Sequence, residues 1–252
     1  MLRKFAIIFL VITINSNLFA AESSKEKLIK QDWSFNGITG TYDKAAIQRG
    51  LKVYQEVCAG CHSMNLIYYR DLEDIGFSKE QIKVIASEYT VLDGPNDEGE
   101  MFERPARPAD KFVDPYMNAQ EARLSNNGSY PPDLSVINKS RKGGADYIYN
   151  LLIGYEEPPA DIVLGEGMYY NKWMDGKQIA MPTPLYDGSV DYEDGTENTA
   201  IQLAKDVTVF LQWAAEPELE ERKRLGVKVI LFFIIFGIFV FLSKRRLWKQ
   251  IH

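Results

Sequence analysis

Cys58, Ala59, Gly60, Cys61 and His62 hold both cysteines of this 252-residue chain and one of its two histidines. Two thiols separated by two residues and followed at once by an imidazole match the spacing at which c-type haem is attached. The thiols add to the haem vinyl groups as thioethers, and the imidazole reaches the iron from one face. Three other chemistries fit less well. A zinc site needs four ligands, yet there is no third cysteine and the other histidine is the last residue, His252. A thioredoxin-like dithiol sits in a strand–helix–strand setting, whereas a helical pattern precedes Cys58. A disulfide across two intervening residues closes too short a loop to stabilise much.

Two amphipathic stripes are placed to hold such a site. Asp43 can cap a helix whose Ile47, Leu51, Tyr54 and Val57 share a face and run into Cys58. Ala200, Leu203, Ala204, Val207, Phe210, Leu211 and Ala214 form a second stripe, ended by Pro217. A helix leading into C-x-x-C-H and another closing the domain are how small c-type cytochromes clasp haem. Residues 81–89 suggest a third helix, and the Pro-, Gly-, Asn- and Tyr-rich stretch 105–185 reads as loops with short helices. The expected fold is mainly α: a class I cytochrome c-like domain with long loop insertions, plus one C-terminal transmembrane helix.

The ends of the chain set its address. Arg3 and Lys4, the apolar run Phe5–Ile14 and the polar stretch Asn15–Ala21 read as an export signal over residues 1–21. Val227–Leu242 is apolar except for Lys228, and sixteen helical residues reach about 24 Å, near the roughly 30 Å of a hydrocarbon core. Leu225, Gly226 and the Lys228 stem supply the difference. Bases flank the span on both sides, Arg222, Lys223 and Arg224 before it and Lys244, Arg245, Arg246 and Lys249 after it, so the positive-inside rule decides little. The signal orients the chain instead. Residues 22–221 form an exported haem domain, 222–245 the anchor in the lipid bilayer, and 246–252 a cytoplasmic tail. A bacterial inner membrane with the haem domain on the periplasmic side is the expected location.

From Glu22 to Ala215 there are 19 Lys and Arg against 31 Asp and Glu. The stretches Asp93–Glu103 and Asp187–Glu197 each carry five acids and no base. That sign disfavours nucleic acid. Such acids are either solvated loops or a surface that steers a basic partner.

The iron's second axial position remains. His252 lies across the membrane, so a methionine is the usual alternative. Met64 is too near His62 to reach the opposite face, while Met181 sits in Ile179–Pro184, where two prolines stiffen the backbone. On chemistry alone Met168 and Met174 stay open as rivals.

Longer strings then become informative: VCAGCHSMNLIYYRDL, DGPNDEGEMF, LSNNGSYPPDLS, RKGGADYIYNLLIGYEEPP, IAMPTPLYDG and AKDVTVFLQWAAEPE with RKRLG. Through them nearly the whole mature chain resembles the cytochrome c1 family, the haem subunit of ubiquinol–cytochrome c reductase. The resemblance implies one covalent haem c on Cys58 and Cys61, with His62 and Met181 as iron ligands. It implies that Arg141 pairs with a haem propionate and that Asn126, Pro132 and Tyr147 line the pocket. It also implies an electron-transfer subunit rather than an enzyme in its own right, beside cytochrome b, receiving electrons from a Rieske iron–sulfur subunit and passing them to a basic cytochrome c. One departure stands out: many relatives carry cysteine where this chain has Glu156, and the disulfide that often braces bacterial relatives cannot form here.

Overall fold

The structure is a computed structural model that describes residues 27–249. The export signal expected over residues 1–21 lies outside the described residues, as do 250–252 of the tail. In chain order the helices are α1 (Lys44–Val53), α2 (Lys79–Ser87), α3 (Ala119–Ser125), α4 (Ile137–Ser140), α5 (Gly144–Ile153), α6 (Ala200–Ala215) and α7 (Leu219–Trp248). A π-helical turn, Tyr54–Cys58, extends α1, and a 3-10 helix spans Tyr69–Ile75. Two small antiparallel ladders complete the set. β1 (Thr90–Asp93) pairs with β2 (Phe102–Pro105), Thr90 opposite Pro105, and β3 (Tyr169–Tyr170) pairs with β4 (Gln178–Ile179), Tyr169 opposite Ile179. The fold is therefore mainly helical, with one long apolar helix at its C-terminal end.

The core forms where α1 crosses α6. Asp43 caps α1 by accepting the Ala46 N–H at 3.1 Å, and the buried Ile47 and Leu51 face inward. Gly50 marks the closest approach. A Cβ there would lie 2.1 Å from the Asp206 carbonyl oxygen and 2.7 Å from the Phe210 Cβ, so only glycine lets the helices meet. Beside the crossing, rings pack in series: Tyr54 against Phe210 at 5.6 Å, Tyr54 against Phe112 at 5.9 Å and Tyr69 against Phe112 at 4.8 Å. α6 is buried on nearly every side, including Asp206, Thr208 and Trp213, because α1, α4 and α5 all pack on it.

α2 begins with a reciprocal cap. The Gln81 N–H reaches the Ser78 hydroxyl at 3.3 Å, and the Ser78 N–H reaches the Gln81 side chain at 2.8 Å. Glu216, Pro217 and Glu218 alone separate α6 from α7. The apolar part of α7 is not buried against the protein at all, which suits lipid and not a core.

Candidate haem site

At Tyr54 the chain leaves α-helical geometry. The Ala59 N–H bonds the Tyr54 carbonyl at 2.7 Å, and both the Cys61 and His62 N–H groups bond the Cys58 carbonyl, at 3.1 and 2.9 Å. This tight turn brings the two cysteines and the imidazole to one end of α1. Cys58 is half-buried and Cys61 exposed. Burial, followed by the neighbouring Cys61, pushes the Cys58 thiol up to about 12. A dithiol oxidoreductase needs the opposite, a thiol lowered by nearby positive charge.

His62 is held by its second nitrogen. Nδ1 lies 2.8 Å from the Pro132 carbonyl oxygen. A carbonyl only accepts, so Nδ1 carries the proton and Nε2 keeps its lone pair. Burial lowers the imidazole's pKa, against opposing effects of the Pro132 bond and Asp133. A neutral imidazole with its far nitrogen oriented by a hydrogen bond is the form that binds a metal. The donor set therefore fits haem iron. The zinc alternative finds no companions, since among the described residues no three His, Cys, Asp or Glu side chains converge.

The Pro132 carbonyl is in turn kept in register by a latch. Asp133 Oδ2 accepts the Ser63 hydroxyl at 2.9 Å and the Asn65 N–H at 2.8 Å, and its Oδ1 accepts the Ser135 N–H at 2.8 Å. The Ser135 hydroxyl accepts the Leu66 N–H at 3.0 Å, and Leu134 N–H donates to the Ser63 carbonyl at 2.9 Å. Burial tends to raise the Asp133 pKa, but bonds from Ser135, Asn65 and Ser63 outweigh it and hold the carboxyl below its ordinary range. The Tyr54 hydroxyl adds a bond to the His62 carbonyl at 3.2 Å. Replacing Asp133 by alanine strands two backbone N–H groups and is expected to cost about 2 kcal/mol. Thermal unfolding would show it, and an unchanged midpoint would discount the latch.

The remaining expected residues are spread around this turn. The Asn126 amide donates to the Ala122 carbonyl at 2.7 Å and to the Tyr116 hydroxyl at 3.0 Å. Tyr116, Tyr130, Pro131 and Cys61 line one cavity, so Asn126 supports its wall. Arg141 is exposed and forms no ion pair among the described residues. Gly143 and Gly144, at φ of 100° and 57°, turn the chain from Arg141 into α5. Tyr147 on α5 points its hydroxyl at the Met174 sulfur, 3.6 Å away. Met181 follows β4 and is half-buried; its carbonyl accepts the Tyr155 hydroxyl at 3.1 Å. Met64 is fully buried in the core, whereas Met101 and Met117 are 54% and 87% exposed. Thus Cys58, Cys61, His62 and Pro132 come together directly, and Asn126 reaches them through Tyr116. Arg141, Tyr147 and Met181 stand on separate elements.

Comparison with known proteins settles the relationship. The model of the "Cytochrome C1 family" matches residues 33–251. The chain belongs to the cytochrome c1 family. "Cytochrome c1" of Rhodospirillum rubrum is 42% identical over 240 residues, covering 89% of this chain and 88% of that one. "Cytochrome c1 2, heme protein, mitochondrial" of Arabidopsis thaliana is 53% identical over 198 residues, 79% of this chain and 64% of that one. "Cytochrome b/c1" of Bradyrhizobium diazoefficiens is 45% identical over 254 residues, 92% of this chain but 37% of that one. The chain thus spans less than two thirds of the length of the Arabidopsis relative. As a member of the cytochrome c1 family it is a haem protein. Where the resemblance leads one to expect cysteine, Glu156 forms an ion pair with Lys172, an electrostatic tie between the end of α5 and the loop after β3. Asp133 escaped sequence reasoning, and the sequence places Tyr54 only in the α1 stripe and not as a partner of His62; the local hint for Asp133 was an acid beside the double proline at 131–132.

Proposed function

We propose that this chain is the membrane-anchored electron carrier of a ubiquinol–cytochrome c reductase, with haem c on Cys58 and Cys61. When bound, haem c supplies a one-electron redox centre. His62 and Met181 would hold its iron, leaving it to electron transfer and not to binding an external molecule. Arg141, whose guanidinium meets no carboxylate among the described residues, pairs with a propionate, while Asn126, Pro132 and Tyr147 shape the pocket. The observation that carries this reading is the His62–Pro132 bond, because it leaves Nε2 with the lone pair that would take the iron.

In this reading electrons arrive from a Rieske iron–sulfur subunit and leave to a basic cytochrome c. The relative named "Cytochrome b/c1" and the Candida albicans relative named "Cytochrome b-c1 complex catalytic subunit, mitochondrial" support a place beside cytochrome b. Anchoring by α7 in a bacterial inner membrane, haem domain outward, is supported by the long apolar helix and by the reading of residues 1–21 as an export signal. Co-purification of cytochrome b and a Rieske protein in mild detergent tests the assignment. Isolation of the haem protein alone would favour a free-standing anchored cytochrome instead.

The two acidic stretches differ in what they have left to offer a partner. The second is largely matched internally: Asp194 pairs with Arg49 at 2.8 Å, Glu193 with Lys52 at 3.5 Å, and Asp187 accepts the Ala200 N–H at 2.8 Å. The first forms the tip between β1 and β2, where Asp97, Glu98, Glu100 and Glu103 are exposed and lack ion-pair partners among the described residues. This tip is the better docking surface for a basic cytochrome. Converting those four acids to amides is expected to lower the low-salt on-rate about fivefold and to flatten its salt dependence. Stopped-flow oxidation at several ionic strengths measures both, and an unaltered salt slope would remove the docking role.

A further inference from the structure

Arg49 lies beside Gly50 at the α1–α6 crossing, nine residues before Cys58. Its guanidinium grips Asp206 of α6 in a fork, Nε to Oδ2 at 2.9 Å and Nη2 to Oδ1 at 3.1 Å, and its Nη1 reaches Asp194 at 2.8 Å. Its charge also sits over the Tyr192 ring, 5.7 Å from the centroid. The Asp206 side chain is 2% exposed and that of Asp194 is 46% exposed. The fork therefore spans from the core to the surface. One arm belongs to helix packing; the other holds a loop.

That loop is the continuation of the Met181 segment. After Met181 the chain passes Pro182 and Pro184, buries Leu185 and Val190, and reaches Asp194 before α6 begins. It is closed on itself by Gly188 N–H to the Asn198 carbonyl at 2.9 Å, and on α6 by Asp187. Its polar ties to α1 are Asp194–Arg49 and the looser Glu193–Lys52. Buried ion pairs contribute little net stability relative to an apolar packing of equal volume, but they fix register. The Thr196 N–H, and then Arg49, pull the Asp194 carboxyl down to about 2, so the outer arm stays charged at any working pH.

We propose that Arg49 is a positioning residue for the sixth iron ligand: it ties the Met181 strap to the helix that carries Cys58 and His62. The proposal rests on Met181 being that ligand. With the tie cut, the strap keeps the packing of Leu185, Val190 and Tyr192, the looser Glu193–Lys52 pair, the Tyr155 bond to the Met181 carbonyl and its junction with α6, but it loses its firmest link to α1 and lifts from the iron more often. Arg49 acts through Asp194.

The test is carbon monoxide binding to the reduced, haem-loaded full chain in detergent, with the ferric methionine–iron absorption band read alongside. Met181→Leu is the reference for an open site. Asp194→Asn cuts only the surface arm and leaves the α1–α6 fork, so the chain folds. It is expected to raise the carbon monoxide on-rate about threefold. Arg49→Gln with Asp206→Asn removes the whole tie without stranding a buried charge, and is expected to raise the rate about tenfold and weaken the band. Haem content and far-ultraviolet dichroism establish folding. If Met181→Leu opens the site while both tie variants stay at the parent rate, the tie is overturned and the ligand assignment stands. If Met181→Leu itself leaves the site closed, the ligand assignment is overturned.

Discussion

Leucine in place of Met181 is expected to lower the reduction potential by on the order of 100 mV or more and to let carbon monoxide bind the reduced protein. A thioether stabilises the ferrous iron and raises the potential, and axial ligands are among the strongest levers on haem potentials. The same change at Met174 is expected to do far less, because that sulfur faces the Tyr147 hydroxyl. Met168→Leu serves as the second control. A redox titration of the three variants decides among the three sulfurs. An unchanged potential in Met181→Leu, with a drop in either control, would move the ligand.

Gly50→Ala is expected to be strongly damaging for so small a substitution. The added methyl would sit 2.1 Å from a backbone oxygen of α6, and backbone cannot swing aside as a side-chain tip can. Separating the helices would loosen the Tyr54–Phe210 contact and the Arg49–Asp206 fork together. A loss of about 3 kcal/mol or more follows, or a fall in Tm of roughly 10 °C for a domain of this size. The variant should also incorporate less haem, since α1 delivers Cys58. Calorimetry with a haem assay measures both, and a parent-like Tm would refute the close approach.

Local patterns in the chain correspond to real elements wherever a short segment carries its own instruction. Asp43 and the stripe through Ile47 and Leu51 foretell α1, the stripe ending at Pro217 foretells α6, and the run Val227–Leu242 foretells the spanning part of α7. The C-x-x-C-H string names its own chemistry. What stayed hidden depends on partners distant in sequence. Val57 continues the α1 stripe but lies beyond Val53, where the helix widens into a π turn. Asp206 and Thr208 interrupt the α6 stripe and are nonetheless buried, because Arg49 and the Ala204 carbonyl meet them. β1 and β2 escaped notice because their connection is acidic and rich in glycine and proline. Asp133 looked like any loop acid until the turn after His62 folded against it.

The junction between α6 and α7 bears on how the molecule is mounted. The first two turns of α7 are fastened to the domain: Leu219 is buried, Glu220 accepts the Tyr42 N–H at 2.7 Å, and the Lys223 ammonium donates to the Phe35 and Gly40 carbonyls at 2.6 and 3.0 Å. The Tyr42 hydroxyl adds bonds to the Gln212 and Glu216 carbonyls at 3.2 and 2.9 Å. A helix of 30 residues, about 45 Å long, thus joins the domain as a mast stepped into a hull, not a rope. In the proposed membrane-anchored carrier, such a mount would hold the redox head at one height and one heading above the lipid. In that reading electron partners would have to come to it, as to a fixed landing.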